Sequence, residues 1–550
     1  MNSVNHFINY RNASIALFIG LLILIGTTFR DYGIAWDEEL MVQYGRYLVA
    51  QARGAPADPQ DQVAVETSNV YLYGGAFDML AAWATGWLMQ VTPFGEMELW
   101  HLLNALVGLA GIAGCWLAAR TLAGDRAAFW AALLLAATPA FYGQIFFDPK
   151  DIPFASGYIW ALFFLLGLMR GFPRFNWIYI LGFGIVTGLT VGIRMGGAIL
   201  LLFLGLVLVW NAWQFYREQK TDYSLDDMSH PKNSSGSLWR ISLQRVILPV
   251  FIATGLVYLT MLLFWPWARQ NPIQRPLQAL LSEGHFDWNF SVLYRGVYLM
   301  ADALPIDYIF RYFVIQLPEI FLFVLTVGII AVLIWFAKGR FRTLYTTFPF
   351  AGAVLLFLAA ALPVLIALIG HAVLYDGIRH LLFIIPPLAC LAGGFIDLLF
   401  RWLGNIRQIY ITLATLVLAA GVISTVYQAV QLHPYEYIYY NSLVGGLPGA
   451  YKDYETEYWS TAFSEATRWL AGALSDAEAL SGDRYRVYAA CVNDFTVKYY
   501  LPEGIKITHD LDNADFLIGG IRWFCNDDLP GKVLHTVSRF GVPLAVVKEP

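Results

Sequence analysis

The chain has 550 residues, 58% of them hydrophobic and only 14% charged, with a mean hydropathy of +0.55. Soluble domains carry roughly 25% charged residues, so that class is excluded, and a net charge of −5 without a basic stripe leaves no footprint for nucleic acid. A bilayer-spanning helix needs about 20 mostly apolar residues and must satisfy its own backbone.

The first such run, 13–29, follows Arg11 and ends at Arg30-Asp31. It is too long, and too aromatic after its end, for a cleaved leader, and reads as a retained helix. The run 73–91 contains Asp78 and several small residues, and reads either as a span or as a helix lying along the interface. Further spans are predicted at 99–120, 127–146, 152–170, 177–193, 195–213, 244–266, 313–337, 346–370, 380–400 and 409–428. Positive charge decides the ambiguous run, because Lys and Arg concentrate in cytoplasmic loops. The short basic segments 120–126, 170–174, 217–245, 338–342 and 401–407 share one side only if 73–91 does not cross. The expectation is therefore eleven spans with the N-terminus cytoplasmic. The outer side receives 30–98, 147–151, 267–312, 371–379 and everything after 428. The two spans meeting at Arg194 with almost no loop are the weak point of this topology, and the Ser-rich stretch 219–238 reads as a flexible cytoplasmic loop.

From 429 to 550 the chain is polar and aromatic. Phe463, Ala466, Trp469, Leu470 and Leu474 share one helical face within 460–474. Short strand-like runs follow at 485–491, 515–518, 533–537 and 543–547. This predicts a small extracytoplasmic α/β domain after a transmembrane module spanning 1–428. Of the four cysteines, Cys115 and Cys390 lie in spans, while Cys491 and Cys525 lie in this domain and pair if the compartment oxidises thiols, or stay as buried thiols if not.

Charges at membrane boundaries are expensive and point to function. Asp37-Glu38-Glu39 follows the first helix. A carboxylate there suits a general base towards a hydroxyl, and Asp37 equally suits a helix N-cap. Between two spans, Asp148, Lys150 and Asp151 share a short loop with Pro149 and Pro153. Either the acids orient a sugar or a base and Lys150 meets a phosphate, or the segment is a solvated turn. Tyr375, Arg379 and His380 precede a late span. Arg379 has the donor fork for a phosphate, or it snorkels. Arg194, among small residues that let helices pack closely, is a second phosphate ligand or a loop charge. Arg295 and Arg311 are weaker candidates. The run Tyr435 to Tyr440 reads as an interfacial aromatic belt, with a sugar-stacking surface as the alternative. Nine histidines show no metal-ligand spacing, and only His371 and His380 share a loop.

An acidic pair after the first helix, an Asp-bearing second loop and an Arg before a late span, all on one face, resemble the GT-C glycosyltransferases. The likeness is to the protein O-mannosyltransferase and lipid A aminoarabinose transferase group and covers roughly 10–400. Asp37-Glu38 looks like that family's first-loop acidic pair, Asp148 like its second-loop acid, and 73–91 like its interfacial helix. The C-terminal domain departs from the mannosyltransferases. The resemblance implies a polyprenyl-phosphate sugar donor and a lipid, glycan or protein acceptor. Asp37 or Glu38 would act as base and Asp148 would position acceptor or sugar. Lys150, Arg194 or Arg379 would hold the departing phosphate, with Asp151, Tyr375 and His380 completing the binding site. It requires no divalent metal and does not exclude one, and it implies a bacterial inner membrane with the C-terminal domain periplasmic. A flippase for a lipid-linked glycan and a membrane-anchored binding protein are the competing classes. A transporter usually shows two similar halves and midplane charges, and neither is legible here.

Overall fold

The computed structural model describes residues 9–172, 176–222, 247–282, 288, 290–339, 347–475 and 485–550, without the side chains of 218–222 and 475. Most of the predicted loop 219–238, and the basic residues Arg174, Arg340 and Arg342, lie outside the described residues. Helix α1 (Tyr10–Thr28) starts where the Asn9 side chain accepts from the backbone N–H groups of Arg11 and Asn12. Three shorter helices follow: α2 (Glu38–Ala52), α3 (Pro59–Ser68) and α4 (Ala76–Leu88). Helix α4 is the ambiguous run. It has only 13 residues, buries Asp78 on one side and exposes Trp83 and Trp87 on the other. That is too short to cross and fits a helix lying in the interface.

The bundle continues with α5 (Glu96–Ala123), α6 (Asp125–Ala136), α7 (Pro139–Tyr142), α8 (Asp151–Gly171), α9 (Trp177–Val191) and α10 (Ile199–Asp222). After it come α11 (Leu248–Leu263), α12 (Tyr308–Gln316), α13 (Glu319–Ala337), α14 (Phe348–Ile369), α15 (Ile385–Gly404) and α16 (Gln408–Leu432). Each of the eleven predicted spans finds an apolar helix, but eleven crossings are not established. Among the described residues eight helices are long and apolar enough to cross, or nine if the bent pair 125–136 and 139–145 counts as one. That pair turns by 68° at Thr138, which the following proline holds in an extended conformation. Helices α9 and α11 are shorter, and they pack together through Gly184 and Gly188, where any side chain would press on α11. At the suspect junction the helix does break: residues 192–194 leave the helical path before a short turn at Met195–Ala198.

The 120–126 end of the bundle is tied to the end of α15 by Arg126, which bonds Asp397 at 2.8 Å, while Arg401 one turn further along α15 bonds the same carboxylate at 2.6 Å. The segments that follow α1, α7, α9 and α14 gather at the opposite end, where a β-hairpin (β1 Ser291–Tyr294, β2 Val297–Met300) and the C-terminal domain sit. Helix α17 (Phe463–Ser475) packs there on a five-stranded sheet. Its strands are β3 (Tyr485–Ala490), β4 (Ile505–Ile507), β5 (Phe516–Gly520), β6 (Lys532–Arg539) and β7 (Val542–Glu549), in the order β4-β3-β5-β7-β6. Neighbours β4, β3 and β5 are parallel, and β7 is antiparallel to both β5 and β6. The predicted small α/β domain is present, and Cys491 and Cys525 are disulfide-bonded within it.

The tyrosine run is neither an interfacial belt nor a stacking surface. Tyr435, Tyr437, Tyr439 and Tyr440 are all fully buried between helices and domain. Their hydroxyls donate to Glu465, Glu457 and Glu319 and to the backbone carbonyl of Glu455. A buried phenol needs such a partner, and Glu319 at the start of α13 and the glutamates after the last span supply it.

One glycine contact governs how the first loop meets the bundle. A Cβ on Gly74 would strike the Gly192 carbonyl, and the Ala76 N–H donates to that same carbonyl at 3.0 Å. Gly74→Ala is expected to destabilise the protein by about 1–3 kcal/mol through overpacking. Loss of monodisperse protein on heating in detergent measures it; an unchanged midpoint would show that the loop yields.

Candidate active site

A cavity of about 940 Å³ opens at the end of the bundle that carries the C-terminal domain. Seven of the residues expected from the sequence line it: Asp37, Lys150, Asp151, Arg194, Tyr375, Arg379 and His380. They come from four separate segments, and a chain of ion pairs joins most of them. Arg194, at the break before α10, donates to Asp151 at 2.8 Å. Arg379 lies 4.0 Å from the other oxygen of Asp151 and donates to Asp37 at 3.5 Å and to Asp376 at 3.1 Å. Its guanidinium also stacks over Tyr375 and Trp459, 4.8 and 4.3 Å from the ring centres. Asp37 sits before the first turn of α2, yet its side chain makes no capping bond. The N-cap reading therefore covers its position only, and the carboxylate turns into the cavity, 44% exposed.

Glu38 and Asp148 are placed otherwise. Glu38 is buried behind the wall, where it accepts from the Ala35 N–H at 2.6 Å and pairs with His101 at 3.0 Å. Neighbouring residues on a helix point about 100° apart, and here Asp37 faces the cavity while Glu38 turns away from it. Asp148 accepts from the backbone of Asp151 at 2.9 Å and of Lys150 at 3.3 Å and so closes the start of α8. It is buried rather than solvated, and burial, then Asp151, pushes its carboxyl well up. Both residues shape the wall without lining the cavity.

Lys150 sits over the Tyr73 ring at 3.7 Å, and among the described residues no carboxylate lies within ion-pair distance of it. Burial pulls its ammonium down to about 8, while Asp78 opposes the shift. Asp78 is fully buried behind it, and burial raises its carboxyl to about 7. Arg295 pairs with Asp307, and Arg311 donates to the Tyr454 hydroxyl; neither lines the cavity. Nor does His371, and no metal-ligating cluster exists among the described residues.

Four lining residues carry no role in the sequence reading. Asp376 is fully buried and accepts from two arginines. Trp288 stacks on Tyr375 at 4.1 Å, nearly parallel. Arg522 and Trp523 reach the cavity from the C-terminal domain. The cavity thus holds four cations, Lys150, Arg194, Arg379 and Arg522, against three carboxylates, Asp37, Asp151 and Asp376. The rest of the lining is largely apolar and includes Ile199, Leu202, Pro363, Ile366 and Ala367.

Part of this wall lies in a segment with a recognisable pattern. Residues 79–223 match the family described as dolichyl-phosphate-mannose-protein mannosyltransferase. The match spans about a quarter of the chain and includes Lys150, Asp151 and Arg194 but neither Asp37 nor Arg379. It agrees with the resemblance to the GT-C glycosyltransferases. The fold class is the expected one as far as a multi-pass helical membrane protein with an α/β domain at its C-terminus. No curated protein matches the chain. Among solved structures, ArnT from Cupriavidus metallidurans in the apo state is 16% identical with a TM-score of 0.46, over 98% of each chain. The same protein bound to undecaprenyl phosphate is 16% identical at 0.44, over 97% of each chain. AglB from Archaeoglobus fulgidus, in complex with an inhibitory peptide and a dolichol-phosphate, is 13% identical at 0.45, over 92% of this chain and 69% of that one.

Proposed function

We propose that the chain is a glycosyltransferase that moves a sugar from a polyprenyl-phosphate donor to an acceptor hydroxyl. The reaction takes place at the outer face of the membrane, the periplasmic face of a bacterial inner membrane. The supporting observation is the cavity's mixed lining, which joins four cations, with Lys150 lacking a carboxylate partner among the described residues, to many apolar side chains. A lipid phosphate combines the same two characters, and its anion would complete the coordination of Lys150. The family matched by 79–223 is named for a dolichyl-phosphate sugar, which is a donor of this chemical class.

In the proposed reaction the Asp37 carboxylate takes the proton of the acceptor hydroxyl, whose oxygen attacks the anomeric carbon. The bond from that carbon to the phosphate oxygen breaks, and the phosphate leaves on its lipid. Lys150 and Arg379 hold the charge that grows on the leaving oxygen, which is where positioned donors contribute most. Arg194 is committed to Asp151 and acts by holding it beside Arg379. The partly exposed Trp288 ring, which lines the cavity, offers an aromatic surface against which a sugar ring packs. The acceptor is a lipid, a glycan or a protein.

Proteoliposomes loaded with labelled polyprenyl-phosphate sugars and a membrane extract test the reading. The expected result is label on an acceptor with an equal amount of free polyprenyl phosphate. Donor that crosses the bilayer with its glycosidic bond intact would make the protein a transporter instead.

Lys150 adds a pH test. Only its protonated form attracts the donor phosphate, and its folded value is lowered, so donor affinity is expected to fall as pH rises through about 8. Lys150→Met is expected to raise the donor KM about 10–100-fold, the loss of one charge-assisted bond of about 1.5–3 kcal/mol. It should also abolish the fall above pH 8. The same alkaline limb in Lys150→Met would assign it to another group.

A further inference from the structure

The cation that the C-terminal domain brings to the cavity is not a bystander to the membrane helices. Arg522 lies on the loop after β5, 8% exposed at its side chain. It donates to Asp376 Oδ1 at 2.7 Å and to the Tyr458 carbonyl at 2.7 Å. Arg379 takes the other oxygen of the same carboxylate. One fully buried aspartate is therefore shared by two arginines, one from the domain and one from the start of a membrane helix. Both ends of this bridge sit on unusual backbone. Asp376 and Gly377 have φ of 57° and 68°, and Trp523 and Phe524, directly after Arg522, have 53° and 56°. Residues other than glycine visit this region rarely, and such positions persist where the surroundings over-determine them. Here the surroundings are visible. The Gly377 and Ile378 N–H groups are fixed by Tyr308 and Gln316 of α12, and Cys525, three residues after Arg522, is bonded to Cys491.

We propose that Arg522 is a positioning residue. Acting through Asp376, it fixes the orientation in which Arg379 faces Asp37 and Asp151, so that the C-terminal domain sets the geometry of the reacting site. Without Arg522, Asp376 keeps a single partner and draws the Arg379 guanidinium towards itself and away from Asp37, to which its bond is already long at 3.5 Å. The domain is then a working part of the cavity as well as its cover. The inference rests on the transfer reading only for its kinetic consequence.

A double-mutant cycle between Arg522→Met and Asp376→Asn tests it, because only coupled residues depart from additivity. In the wild-type background Arg522→Met is expected to lower kcat/KM about 10–100-fold, mainly in kcat. In the Asp376→Asn background the same change is expected to cost less than about 2-fold. Equal costs in both backgrounds would overturn the proposal and make Arg522 an independent substrate contact. Should Arg522→Met fail to fold, Arg522→Lys carries the same cycle, since an ammonium cannot serve Asp376 and Tyr458 in the planar geometry of a guanidinium. A substrate-free measurement separates this inference from the transferase reading. Modification of Arg379 by phenylglyoxal, read by peptide mass mapping, is expected to fall several-fold in Arg522→Met and to recover when Asp376→Asn is added. Unchanged Arg379 reactivity in Arg522→Met would overturn the proposal whether or not the wild type transfers sugar.

Discussion

Asp37→Asn is expected to reduce sugar transfer by about 10²–10⁴ at saturating donor, the usual contribution of a positioned general base, while the protein stays folded. The amide keeps the shape of the carboxylate and gives up only a long 3.5 Å contact with Arg379. The neighbouring Glu38→Gln makes the contrast informative. Its amide oxygen can still accept from the Ala35 N–H, and its position behind the wall keeps it from the acceptor. We expect less than about a tenfold loss, through a weakened bond to His101. Initial rates of acceptor labelling in the two purified variants decide between them. A larger loss in Glu38→Gln than in Asp37→Asn would move the base one residue along the chain.

Arg379→Ala is expected to be the most damaging single change, because it acts on stability and on reaction together. The guanidinium faces Asp37, Asp151 and Asp376 and is 7% exposed. Removing one partner from a buried ion-pair network leaves uncompensated charge and costs about 3–5 kcal/mol. Here Asp376 would retain Arg522 and Asp151 would retain Arg194, which places the expected loss at the lower end of that range. Arg379→Lys is expected to recover most of the stability and little of the turnover. A lysine supplies the charge but cannot bond two carboxylates in one plane while stacking between Tyr375 and Trp459. Thermal denaturation and turnover measured on the same preparations separate the two effects. Full activity in Arg379→Lys would show that point charge alone is required.

Much of the architecture is legible in the sequence because lipid imposes a severe rule. A span must be long, apolar and helical, so each predicted span meets a helix, and the charged residues left at its ends stand out. That is why Asp37, Lys150, Asp151, Arg194, Tyr375, Arg379 and His380 could be named from the chain and are found around one cavity. The same rule fails where helices are short or bent. Helix α9 has 15 residues and α6–α7 turns by 68°, so hydropathy alone fixes neither the number of crossings nor their angles. Sequence also could not choose between Asp37 and Glu38, since which of two adjacent residues faces a cavity depends on the entry angle of α2. Arg522 was invisible for another reason. In a polar domain an arginine carries no signal, and it becomes a cavity residue only through the tertiary contact with Asp376. The tyrosine run misled because interfacial and core tyrosines have the same composition. What distinguishes them is the acceptors that the fold brings to their hydroxyls, among them the carboxylates of Glu457 and Glu465 and the carbonyl of Glu455.

The measurement that tests the central claim most directly is turnover of a panel of labelled polyprenyl-phosphate sugars by the purified, reconstituted wild type beside Asp37→Asn. The account expects transfer to an acceptor with release of polyprenyl phosphate by the wild type, and its loss in a folded Asp37→Asn that still binds the donor. Equal transfer by the two proteins would remove Asp37 from the chemistry. No cleavage of any donor by folded wild type, with every acceptor extract supplied, would contradict a transferase in this cavity.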